Sequence, residues 1–406
     1  MGRWRIATWI AAAIWTLLML RLMIADVWDE TNGMLFFSDP RHSLSDLMAF
    51  AVTQSLGFWR PFPTLIVAAV LHFVPAFAVS WRLLRGINVV LLLAAAAFLL
   101  RTIEAWSDRD EQRDFVTFVA FLFSGSAVIT AGWYANIFDA SALLLIAIAF
   151  FLMTQSRFLL AGAVLGVAFF CKETTALALM FFLPLIVGGK LRLRDAVTTA
   201  IPAVILGLAY FGLRGRIISF GSASDVHAFT PQYYLPSAMH FLESFWRQTM
   251  KVARPTILGF AWIALSLVAF RKPRIIAAVI VFLLAATILY WGMFLDYQDG
   301  VVISHQNFAG RLFLIPVWLM VTLLAAERRT SFLAILLVPI LWGGVTTYRD
   351  HVRFQRSYRH IYRLAPVTIY YPAKPLHDIV RRVEIGDLPN AKLALDARTG
   401  RLQTRR

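Results

Sequence analysis

Acidic residues gather directly behind the first apolar run of the chain: Asp26, Asp29 and Glu30, followed by Asp39, Arg41, His42 and Asp46. Carboxylates at the rim of a low-dielectric layer can hold protons more tightly than usual and serve as general bases toward a hydroxyl; the plainer reading is the solvated flank of a span. Arg60-Pro61 follows. A guanidinium fork matches phosphate oxygens, although an arginine near an interface also snorkels. Asn136 and Asp139 come just after Trp133 and Tyr134 at the start of another apolar run. The aromatics suit an interfacial belt, and Asp139 suits a helix start, where a carboxylate is stabilised by free amides and the dipole. Lys172 and Glu173, flanked by Thr174 and Thr175, interrupt the apolar stretch from Phe158 to Gly188. Charges at such depth are costly and point to function, unless the pair sits in a wet turn between two spans. His305 and Arg311 lie where a polar stretch enters a later apolar run. One turn inside a helix, Arg311 reaches a phosphate at headgroup level or snorkels.

Other chemistries lack their signatures. There is no P-loop, Gly-rich dinucleotide fingerprint, His-Glu-x-x-His or Gly-x-Ser-x-Gly, which removes the support for ATP-driven transport and zinc proteolysis.

The elements that must carry these residues are membrane helices. Of 406 residues, 59% are hydrophobic and 15% charged, well below the roughly one quarter charged of a soluble domain. The apolar residues come in blocks long enough to cross a ~30 Å hydrocarbon layer as helices, without the alternation of barrel strands. The expectation is an all-α polytopic membrane protein with about eleven transmembrane helices, near residues 6–25, 87–100, 115–131, 137–154, 158–171, 174–189, 196–213, 255–270, 275–295, 309–326 and 331–346. The first run lacks a clear small-residue cleavage site and reads as a retained helix. The net charge of +16 is read as topology signal and anionic-lipid contact rather than nucleic-acid binding. The one cysteine, Cys171, rules out a disulfide within the chain.

A twelfth apolar stretch, residues 62–81, contains His72, Pro63 and Pro75. The basic loops around Arg157, Lys190, Lys272 and Arg328 share a side with Arg3 and Arg5 only if an even number of spans precedes Arg157. That parity makes residues 62–81 juxtamembrane rather than spanning. The resulting map has a transmembrane domain at 1–346, with a large first extracytoplasmic loop at 26–86, and a small basic tail at 347–406. The arginines 349, 353, 356, 359 and 363 directly after the last span pull the tail toward the cytoplasm, against this map.

Taken in order, Asp29-Glu30, Arg60-Pro61, the segment Trp133 to Asp139, Lys172-Glu173 after Leu160-Ala-Gly-Ala-Val-Leu-Gly, and Gly310-Arg311-Leu312 to Pro316 resemble the GT-C superfamily of integral membrane glycosyltransferases. That superfamily includes protein O-mannosyltransferases and aminoarabinose transferases. The resemblance implies juxtamembrane helices in the first outer loop and a polyprenyl-phosphate-linked sugar donor. It implies a glycan, lipid or protein acceptor, and an active site on the extracytoplasmic side of the cell inner membrane. By the same resemblance Asp29 is the general base, with Glu30 and Asp26 as alternatives, and Arg60, Lys172 and Arg311 bind the donor phosphate. Glu173, Asn136, Asp139 and His305 contact substrate. It names no certain cofactor, and a divalent metal is left open, since hard cations need several converging oxygens. Absence of a Trp-Trp-Asp motif argues against asparagine glycosylation. The rivals are a lipid or small-solute transporter or flippase, and a non-catalytic subunit.

Overall fold

The computed structural model describes residues 2–21, 43–53, 59–74, 77–132, 136–217, 272–291, 314–327, 330–364, 393–396 and 401–404. They begin with α1 (Arg3–Arg21), two short helices, α2 (Leu44–Thr53) and α3 (Pro61–Phe73), and the long α4 (Phe77–Trp106). Then come α5 (Glu111–Leu122), α6 (Gly125–Gly132), α7 (Ile137–Thr154), α8 (Phe158–Phe169), a single 3-10 turn (Glu173–Thr175), α9 (Ala176–Met180), α10 (Phe182–Val187) and α11 (Leu193–Ile217). The last helices are α12 (Pro273–Trp291), α13 (Leu314–Ala326) and α14 (Thr330–Leu364). A small antiparallel hairpin in the tail, β1 (Leu393–Asp396) with β2 (Arg401–Thr404), pairs Leu393 with Thr404; an all-helical reading did not include it.

Among the described residues, α4 over Leu83–Trp106, α7, and α11 over Leu193–Arg214 are long and apolar enough to cross a membrane, and α5 with α6, bent by 56°, adds a fourth where the pair is counted as one span. This falls short of the expected count of about eleven, and the run at 255–270 lies outside the described residues. Burial separates two kinds of apolar surface. Ile6, Trp9, Ile10, Ile14 and Leu17 of α1 and Val197, Ile201, Ile205 and Leu208 of α11 face outward. Such continuous apolar stripes would not stay dispersed in water but suit contact with lipid. Trp15, Phe121, Phe150, Phe181 and Trp318 are fully buried within one core.

Several boundaries differ from the hydropathy blocks for local reasons. The stretch at 62–81 is split. α3 is 13 residues long, roughly 20 Å and too short to cross, and α4 starts separately at Phe77. The block at 115–131 bends at Ser124, whose hydroxyl accepts from Ala127 N at 3.2 Å and so caps α6 while donating to the Phe121 carbonyl at 2.7 Å. The block at 174–189 is a 3-10 turn and two short helices. The block at 331–346 does not stop: α14 runs on to Leu364, 35 residues in all, so the tail begins as a continuation of the last bundle helix.

Polar contacts define one end of the bundle. Arg5 pairs with Glu111 at 3.2 Å, Lys190 donates to the Trp106 carbonyl at 3.4 Å, and Lys272 pairs with Glu327 at 3.4 Å. The chain reaches the opposite end at the C-terminus of α1, where Arg85 donates to the Met19 carbonyl at 3.0 Å, and again at the α6–α7 and α8–α9 connections.

Two glycines set how closely the helices beneath that second end approach. A Cβ on Gly162 of α8 would collide with the Thr199 carbonyl and Pro202 of α11, and one on Gly166 with Leu206. This spacing of small residues lets helix backbones touch, and it fixes the C-terminus of α8 against the C-terminal half of α11.

Candidate active site

Arg60, Asp139, Lys172 and Glu173 come from three separate segments and meet at this second end of the bundle. Arg60 stands just before α3, where Pro61 at the first helical position sets the chain direction. Its guanidinium grips Glu173 side-on, Nε donating to Oε2 at 3.2 Å and Nη2 to Oε1 at 2.7 Å. It also lies over the Phe138 ring at 5.4 Å, a cation–π arrangement. Lys172 Nζ donates to Asp139 Oδ2 at 3.2 Å. Asn136, at the start of α7, gives no side-chain cap to the helix, and the Asp139 carboxylate is spent on a lysine 33 residues away.

The Lys172 turn is not wet. Lys172 and Asp139 are each 3% exposed, and the turn is folded by its own groups, with Thr175 Oγ1 donating to the Lys172 carbonyl at 2.7 Å. Among the described residues these two cations face two carboxylates, and such pairing is how charges are tolerated away from water. Arg60 and Glu173 sit in connecting segments outside the spanning helices. Burial opposes both charges, but their mutual attraction outweighs it. The Arg60 guanidinium is pushed up, and Glu173, beside Arg60 and Lys172, is held down to about 2.

Asn136 is fully buried, and its Nδ2 donates to the Ile129 carbonyl at 3.0 Å, lashing the start of α7 to the last turn of α6. Asp26, Asp29, Glu30, His305 and Arg311 lie outside the described residues.

Residue-by-residue reading passed over the aromatic wall behind the charges. Trp59, next to Arg60, stacks on Tyr210 of α11 with centroids 5.6 Å apart and planes 19° from parallel. Phe170 meets Trp59 and Tyr210 edge-on at 5.6 and 5.4 Å. Tyr210 is fully buried and its hydroxyl makes no hydrogen bond among the described residues. An orphaned hydroxyl of this kind costs about 1–3 kcal/mol. The sequence signal was the polar hydroxyl that Tyr210 brings, beside Phe211, into the apolar stretch of α11.

Buried cations held ready by carboxylates, at the end of an apolar bundle, suit recognition of an anionic group presented from the bilayer surface. Among the described residues no group of three His, Cys, Asp or Glu is placed to hold a metal. No curated protein and no solved structure matches the chain. A family model does match residues 58–301, well over half of the sequence, from just before Trp59 and Arg60 to beyond Tyr210. With its lipid-facing helices and this buried charge cluster, the chain belongs to glycosyltransferase family 87 and is a membrane glycosyltransferase.

Proposed function

We propose that the protein moves a sugar from a polyprenyl-phosphate-linked donor to an acceptor hydroxyl, with inversion, on the extracytoplasmic side of the cell inner membrane. The observation that carries this reading is the meeting of Arg60, Lys172, Asp139 and Glu173 at one end of an apolar bundle. A polyprenyl-linked donor keeps its lipid in the bilayer and its phosphate at the surface, and cations at the end of an apolar bundle suit that phosphate. Arg60, Lys172 and Arg311 stabilise the departing phosphate. Asp29 takes the proton from the acceptor hydroxyl, with Glu30 and Asp26 as the other acids of that segment. α1 leaves the bundle at the end where Arg85 meets Met19, so Asp26 and Asp29 follow within one short stretch of chain. Glu173, Asp139, Asn136 and His305 hold the sugar and acceptor, in part by fixing the cations and the α6–α7 connection. The acceptor is a glycan, lipid or protein.

The test uses purified protein in detergent, without a membrane gradient, given a polyprenyl-phosphate-linked sugar and candidate acceptors. Product forms with the native chain. Asp29→Asn abolishes it at unchanged thermal stability, while full transfer by that variant removes Asp29 from the base role. A transporter or flippase forms no product in this assay and redistributes the lipid only in vesicles.

A further inference from the structure

The last four carbonyls of a helix have no partner within it, and in α6, buried along its whole length, these include Ile129 and Thr130. Two asparagines from different elements meet them. Asn136, just before α7, donates Nδ2 to the Ile129 carbonyl at 3.0 Å, and Asn88 of α4 donates Nδ2 to the Thr130 carbonyl at 3.3 Å. Both asparagines are fully buried, where an amide is tolerated only when it is hydrogen-bonded. α4, α6 and the start of α7 are therefore tied at one point. Three residues before Asn88, Arg85 holds the Met19 carbonyl of α1, so a single turn of α4 fastens that helix end as well. Asp139, whose carboxylate accepts from Lys172 at 3.2 Å, follows Asn136 by three residues in α7. Asn136 by itself would let α6 and the start of α7 shift as one body. Asn88 ties that body to the long α4, against which α7 also packs.

We propose that Asn88 is a positioning residue, which sets the Lys172 ammonium for the donor phosphate by way of α6 and Asp139. This rests on the reading of Lys172 as a phosphate ligand. Without the Asn88 amide the Thr130 carbonyl loses its donor, the end of α6 gives way, and Asp139 no longer holds Lys172 at one place. Asn88 itself touches neither sugar nor phosphate.

The full chain is tested in detergent as native protein, Asn88→Ala, Asp139→Asn and the double variant, with Thr102→Val as control. Thr102 is fully buried farther along α4 and donates to the Phe98 carbonyl at 2.8 Å, so its loss reports general loosening of that helix. Binding of a sugar-free polyprenyl monophosphate and of the matching uncharged polyprenol is read by thermal shift. Asn88→Ala should weaken monophosphate binding about fivefold, the scale of one lost hydrogen bond, and leave polyprenol binding unchanged. In the Asp139→Asn background it should weaken nothing further, and Thr102→Val should bind both ligands as the native chain does. Native monophosphate affinity in Asn88→Ala, equal weakening of both ligands, or the same loss in both backgrounds overturns the proposal, as does a Thr102→Val chain that matches Asn88→Ala. Denaturant unfolding of the same chains separates the two layers. If the native chain binds monophosphate no better than polyprenol, the reading of Lys172 fails and Asn88 is judged by unfolding alone. Its stability cost should shrink in the Asp139→Asn background, because residues of one network are not additive; equal costs in both backgrounds reject the link. Where Asp139→Asn does not fold, Asp139→Asn/Lys172→Met removes the pair as a unit and takes its place in the unfolding cycle.

Discussion

At the scale of single residues, the site is governed by the cost of burying charge. Neither Arg60 nor Glu173 would be tolerated alone where it sits, and each is retained because the other is there. Glu173→Gln should therefore cost about 3–5 kcal/mol of stability, since it leaves Arg60 buried opposite a neutral group. The double variant Arg60→Met/Glu173→Leu should recover most of that loss while losing transfer. Denaturant unfolding in mixed micelles measures both, and a Glu173→Gln chain as stable as the native one would contradict the pairing. The acid side of the pH profile follows by linkage. The folded value of Glu173 lies below its unfolded one, near 4.3. Its contribution is thus complete above that value and is lost as pH falls toward about 2. The native chain should destabilise across that window more steeply than the double variant does. From sequence, Lys172 and Glu173 stood out because they interrupt an apolar run. Their partners did not, because Arg60 and Glu173 are 113 positions apart and no local periodicity links them. Tyr210 was invisible for another reason: that its buried hydroxyl makes no hydrogen bond among the described residues is a fact of packing.

At the scale of elements, hydropathy located helices where polar punctuation agreed with it and failed where small residues bent the chain silently. α7 begins and ends where its apolar block does, since Asn136 precedes it and Gln155, Ser156 and Arg157 follow. The bend between α5 and α6 falls at Ser124-Gly125 inside a continuous apolar block, and the break after Met180 lies among phenylalanines. α14 shows the opposite error. Its apolarity ends near residue 346 but its helix does not, because nothing there stops helical hydrogen bonding. Close helix approach was equally hidden, since a glycine scores little in hydropathy yet decides spacing. Gly162→Leu should force α8 from α11, carrying the Lys172 turn away from Tyr210. The expected result is destabilisation of about 1–3 kcal/mol from overpacking together with loss of transfer. Gly86→Ala is the control: a Cβ there meets nothing within 4 Å, and in a helix interior alanine is favoured over glycine by roughly 0.5–1 kcal/mol. A Gly162→Leu chain that kept native activity would mean that the α8–α11 contact does not position the site.

At the scale of the whole molecule, the bundle is polar at its two ends for different reasons. At one end Arg5 with Glu111 is a surface pair, of the kind that contributes little to stability, and Lys272, its side chain 61% exposed, reaches Glu327. They mark where basic connections emerge, as expected of the cytoplasmic face. At the other end Arg60 with Glu173 and Lys172 with Asp139 pair largely out of water. The proposed transfer needs the acid segment and the cations on the same face, because a proton acceptor across the bilayer cannot reach the sugar. Cysteine labelling decides this. Cys171 is buried, so a Cys171→Ala background offers no competing thiol. In intact cells a membrane-impermeant maleimide should modify Thr31→Cys, beside Glu30, but reach Ser156→Cys, in the turn between α7 and α8, only after permeabilisation. Asp139 and Lys172 lie at the far ends of those two helices from Ser156, so labelling of both positions from the same side would separate Asp29 from the cations and leave the cluster without its base.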